Sequence, residues 1–138
     1  MVEYERVLVP IVGKQSDEAA IELACNLARK DTEICLVHVI ELTRGSSLDT
    51  EVDTEIGRSE DMLSRGKVFA SNKGYDVQAS LLQARDVASA IIDEATDRES
   101  NLIVMSSQYK RKFGVFSLGS VIPTVLKNSQ CPVMLIQT

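Results

Sequence analysis

Three stretches of this chain are apolar almost without interruption: Val7-Leu8-Val9-Pro10-Ile11-Val12, Ile34-Cys35-Leu36-Val37-His38-Val39-Ile40 and Leu102-Ile103-Val104-Met105. A strand with one wet face alternates apolar and polar residues. An unbroken run suits a strand covered on both faces, as in a parallel sheet. Val77-Gln78-Ala79-Ser80-Leu81-Leu82 is more mixed, which predicts a less buried strand at an edge. Val133-Met134-Leu135-Ile136 predicts a short last strand, with Pro132 at its start, where a missing N–H does least harm.

Helical patterns separate these runs. Ser16 is the expected N-cap of the first, with Asp17 and Glu18 in its first turn and Ala20, Ala24 and Leu27 sharing a face. A second helix is expected from about Val52 to Lys73, with Ile56, Leu63 and Ala70 along one stripe and Gly74 as its C-cap. A third follows Asp86, with Val87, Ala90, Ile91 and Ala95 inward. A fourth begins near Ser120, with Val121, Ile122, Val125 and Leu126 inward and Pro123 in its first turn, where proline is tolerated. Strand and helix alternate throughout. That order implies an α/β fold with a parallel sheet, right-handed crossovers and helices on both faces.

The 138 residues fit one domain, taken here as 1–138, and can bury a self-sufficient core. Hydrophobic residues make up 44% and charged residues 25%, with no apolar run of bilayer length, so a soluble cytosolic module is expected. A net charge of −5 argues against a nucleic-acid partner. Cys25, Cys35 and Cys131 are odd in number and widely spaced, and His38 is the single histidine. This predicts buried thiols in a reducing compartment rather than a zinc site or a disulfide framework.

In an open α/β sheet, ligands bind beyond the carboxyl ends of the strands. The candidate segments are Val12-Gly13-Lys14, Val39-Ile40-Glu41 and the long stretch Ser106 to Ser120. That stretch carries Lys110-Arg111-Lys112 and ends in Gly119-Ser120 at a helix start, where unpaired N–H groups can hold a phosphate. The same residues also fit a glycine turn, a serine cap and a solvated basic loop. Loops this long are usually functional or mobile, so 107–117 is expected to be the most mobile segment. No receiver-type carboxylate cluster, P-loop or nucleophile–base pair is present, and His38 sits inside an expected buried strand.

Val7-Leu8-Val9-Pro10-Ile11-Val12-Gly13 and Leu36-Val37-His38-Val39-Ile40 resemble the first two strands of universal stress proteins. Gly119-Ser120-Val121 followed by Val125 to Met134 resembles their C-terminal signature. The resemblance covers the whole chain. It implies an open five-stranded parallel sheet of order 3-2-1-4-5, with its switch point between strands one and four. ATP-binding members carry an aspartate after the first strand, then glycine, two residues, glycine, nine residues, glycine and serine or threonine. Aligned on Gly119-Ser120, the aspartate falls at Val12 and the earlier glycines at Ser106 and Tyr109. Val12 cannot accept a ribose hydrogen bond, and Tyr109 brings a Cβ and a ring where backbone should approach phosphate. Gly119, Ser120, Val121 and the backbone near Val39 survive.

The resemblance therefore implies a non-catalytic regulatory or dimerisation module with no cofactor. Binding of ATP or AMP through Gly13, Lys110, Arg111 and Gly119-Ser120 is the alternative. Homodimerisation through the last strand is expected. The sequence also resembles stress-protein-like modules fused to amino-acid permeases, which implies association with a membrane transporter.

Overall fold

The computed structural model describes residues 3–42, 49–107, 111–112, 115–116 and 120–138. Five strands form one parallel sheet: β1 (Arg6–Pro10), β2 (Glu33–Glu41), β3 (Gln78–Ala84), β4 (Leu102–Ser107) and β7 (Val133–Gln137). Their order is β3-β2-β1-β4-β7, which is 3-2-1-4-5 in the count of long strands. Helices α1 (Ser16–Leu27), α2 (Asp49–Asn72), α3 (Val87–Asp97) and α4 (Val121–Asn128) alternate with them. The two further strands, β5 (Arg111–Lys112) and β6 (Val115–Phe116), pair antiparallel within the long connection.

The unbroken apolar runs follow from two cores. Val7, Val9, Ile34, Leu36, Leu102 and Val104 point to the face covered by α1 and α2, beside Ile21, Leu63 and Ala70. Their neighbours Leu8, Cys35, Val37, Ile103 and Met105 point to the opposite face, beside Ile91 and Val125. Successive strand residues alternate between faces, so a strand covered on both must be apolar throughout. Each fully buried Val, Leu or Ile contributes about 1.5–3 kcal/mol. Mixed β3 lies at one edge, as its composition predicts.

Two boundaries differ from the sequence expectation, and a third is met. Ser16 is not the N-cap of α1: it is buried inside the first turn, and Gln15 holds the cap position with no side-chain bond. Ser106 and Ser107 belong to β4 rather than to the loop, because Ile136 and Gln137 pair with them. Gly74 ends α2 as expected. With φ of +90°, it allows its own N–H to reach the Ser71 carbonyl at 2.9 Å while Tyr75 N–H reaches Ala70 at 3.0 Å. The expected mobility of 107–117 falls mainly outside the described residues.

All three cysteines are free. Cys25 and Cys35 are buried, and burial raises both thiols above their ordinary pKa. Cys131 is only half-buried, contrary to the expectation of three buried thiols. Thiolate is the reactive form. Cys131 should therefore react with a maleimide well before Cys25 and Cys35 in the folded protein. Peptide mass spectrometry at timed quenches checks this, and equal rates would contradict it.

Candidate functional site

The strand order reverses between β1 and β4, so α1 after β1 and α4 after β4 lie on opposite faces and a crevice opens at the carboxyl ends of the strands. A cavity of about 340 Å³ occupies it. Pro10, Ile11 and Val12 line it from the end of β1, and Val37, His38 and Val39 from β2. Met105, Ser106 and Ser107 close it from β4. Val87 and Ile91 of α3 complete an apolar wall, and Ser120, Val121 and Ile122 bring up the start of α4.

The turn from β1 to α1 is held by a residue whose role the sequence reading missed. Asp17 is buried, at 7% exposure, and its carboxylate reaches back over the preceding turn. Its Oδ1 accepts from Val12 N–H at 3.0 Å. Its Oδ2 accepts from Gly13 N–H at 2.7 Å and from Lys14 and Val12 N–H at 3.2 Å. Three consecutive amides converging on one point form an anion-binding concavity. Here the chain's own carboxylate fills it. Gly13 carries φ of +86°, a conformation that favours glycine, while the Met62 Cε that a Cβ there would meet at 2.7 Å is the end of a flexible side chain that can move aside. The missed signal was spacing: an aspartate three to five residues beyond a turn can accept from the turn's amides, and the reading placed Asp17 only as first-turn charge.

His38 also differs from expectation. It is half-buried rather than enclosed, and it borders the cavity. Its Nδ1 lies 2.7 Å from the Ile11 carbonyl. A carbonyl can only accept, so Nδ1 carries a proton and donates it to Ile11.

The expected site residues divide into three groups. Val12, Val39, Ser106, Ser120 and Val121 meet around the cavity. Val12 is 57% exposed at its mouth, and Ser120 makes no side-chain capping bond to α4. Gly13 lies behind the turn, in an adjoining cleft between α1 and α2. Tyr109, Lys110 and Gly119 lie outside the described residues, and Arg111 is placed by its backbone in β5. Among the described residues no cluster of three His, Cys, Asp or Glu side chains could hold a metal ion.

A parallel sheet of this order, with a crevice at its switch point, defines an open α/β domain. The universal stress protein family model matches residues 3–137, and the chain belongs to that family. It is 26% identical to universal stress protein MJ0531 of Methanocaldococcus jannaschii, over 97% of this chain and 82% of that protein. It is 27% identical to part of the Na(+)/H(+) antiporter NhaS5 of Synechocystis, over 92% of this chain but 18% of the antiporter. The fold is shared with a universal stress protein from Archaeoglobus fulgidus solved in complex with dAMP, with a TM-score of 0.78 and 21% identity over 98% of this chain and 99% of that one.

Proposed function

We propose that this chain is a regulatory, dimerising universal stress module whose nucleotide site has lost its phosphate and ribose anchors, and that it is not an enzyme. The observation that carries this reading is the β1–α1 turn. Val12, with no polar group, stands where ATP-binding members carry aspartate, and the three amides of the turn are already taken by Asp17.

Binding of ATP or AMP is the second reading. It is favoured by the retained cavity, by Ser120 and Val121 at the start of α4 and by the dAMP-bound structural relative. The antiporter match supports a third element, that modules of this kind act beside a transporter in the cytosol. No helix among the described residues is long and apolar enough to cross a membrane.

Dimerisation is read from β7. Val133, Met134, Leu135 and Ile136 are each only half-buried, although they pack on the two cores, because β7 is an edge strand. An apolar edge is a liability that pairing with a second copy about a twofold axis removes. Light scattering at tens of micromolar, roughly a weak-dimer range, should therefore give a dimer. Glutamate at Met134 or Leu135 should shift it to monomer while circular dichroism still reports the fold. A monomeric parent, or a dimer indifferent to folded charged variants, would count against the regulatory-dimer reading.

A further inference from the structure

We propose that the cleft between α1 and α2 is a second small-molecule site, for a zwitterion with an apolar body, the chemistry of a hydrophobic α-amino acid. The cleft adjoins the switch-point cavity across the β1–α1 turn. Its ligand does not depend on whether that cavity binds nucleotide.

The volume, about 370 Å³, lies at the small end of the range of about 300–1,000 Å³ usual for ligand pockets. Ile21 of α1 and Met62 and Phe69 of α2 line the cleft with apolar surface. Lys14, Glu18 and Arg65 border it, and all three are exposed. Both helices follow strands of a parallel sheet, so they run in the same direction. Glu18 and Glu22 are one turn apart on α1, and Arg65, Phe69 and Lys73 stand on successive turns of one face of α2. Farther along that face the charges are joined. Lys73 Nζ lies 3.3 Å from Glu22 Oε1 and 5.4 Å from the centre of the Phe69 ring. One turn earlier, at the cleft, the matching charges stand apart. Among the described residues neither Glu18 nor Arg65 nor Lys14 makes an ion pair. Asp17 also lines the cleft, but its carboxylate is committed to the amides of the turn. The helix pair therefore holds an apolar opening between an unpaired carboxylate and two unpaired cations. A singly charged ligand would satisfy one sign and leave the other facing its apolar body. A zwitterion presents its carboxylate to the planar fork of Arg65, with Lys14 adding positive charge, and its ammonium to Glu18. Its side chain covers Met62 and Phe69, whose thioether and ring pack on aliphatic and aromatic groups alike. Exposed charges are screened by salt, so the expected dissociation constant is about 1 mM.

The test is an amide NMR titration of the whole chain at neutral pH with four probes: L-phenylalanine, 2-phenylethylamine, 3-phenylpropionate and glycine. Phenylalanine should move the amides of Ile21, Met62, Gly66 and Phe69, and should bind about threefold or more tightly than the amine or the acid, each of which lacks one charge. Glycine, with both charges and no apolar body, should leave these amides in place. Glu18→Gln and Arg65→Gln, both at exposed positions, should each weaken phenylalanine by about threefold. The four-probe series uses the unmodified protein and so stands without either variant. No shift at up to about 10 mM phenylalanine, roughly ten times a millimolar dissociation constant, overturns the proposal. Equal binding of the amine or the acid overturns it, as does an unchanged affinity in both folded variants. Shifts centred on Val39, Ile91 and Ile122 would put the ligand in the switch-point cavity and overturn it as well.

Discussion

The triple variant Val12→Asp, Ser106→Gly, Tyr109→Gly is expected to bind ATP at least tenfold more tightly than the parent. Family-type binding uses a carboxylate after the first strand and glycines where backbone approaches phosphate. The parent retains the start of α4, which contributes about 1 kcal/mol to an exposed anion. An affinity near 10 μM needs roughly 7 kcal/mol. Lys110, Arg111 and Lys112 would have to supply much of the difference, and exposed lysine–phosphate contacts are screened at physiological salt. The substitutions suit the fold. Val12 is exposed at the cavity mouth, so an aspartate there stays solvated. Ser106 is a half-buried lining residue near the end of β4, where glycine removes the hydroxymethyl group from the wall at a cost of about 0.5–1 kcal/mol in strand stability. Fluorescent-ATP displacement on both proteins checks the gain. A folded triple variant with no gain would mean that Ser106 and Tyr109 are not the phosphate-loop positions.

Asp17→Ala is expected to lower stability by roughly 2 kcal/mol, a fall of several degrees in Tm. The alanine leaves the amides of Val12, Gly13 and Lys14 without their shared acceptor. The loss stays moderate because Val12, Gly13 and Lys14 are exposed residues that water can reach. Asp17→Asn keeps one acceptor oxygen and should lose less. Burial raises the Asp17 carboxyl above its ordinary value of 3.8, against the opposing pull of the three amides and of His38. The native state then holds the proton more tightly than the unfolded chain. This group's pH-linked contribution is full below pH 3.8 and is lost as pH rises through the native midpoint. The stability gap between parent and Asp17→Asn should therefore narrow with rising pH across that window. Urea unfolding at stepped pH reads both effects. An Asp17→Ala protein as stable as the parent would mean that the turn needs no internal acceptor.

The sheet was legible because its physics repeats. Leu8 and Val9 face opposite helical layers, so β1 is apolar from Val7 to Pro10, and the same holds for Leu102 to Met105 of β4. Gly74 and Asp86 announced helix ends through local chemistry alone: Asp86 accepts from Ser89 N–H at 2.9 Å, as an N-cap should. The site was less legible. Asp17 looked like ordinary first-turn charge, and only the backward bend of the turn brings Val12, Gly13 and Lys14 onto it. His38 looked like a core residue because its neighbours in β2 are apolar. Its place near the carboxyl end of the strand puts it beside the crevice instead. Ser106 and Ser107 read as loop because they are polar, yet pairing with Ile136 and Gln137 extends β4 through them.

The central claim is that this universal stress domain keeps the cavity of a nucleotide-binding relative without the groups that hold a triphosphate. Calorimetric titration of the unmodified protein with ATP, with and without magnesium at physiological ionic strength, tests it most directly. The account predicts no saturable heat at ligand concentrations up to about 100 μM, a range in which roughly 5.5 kcal/mol of binding would already register. Magnesium-dependent saturation at low micromolar ATP would contradict it.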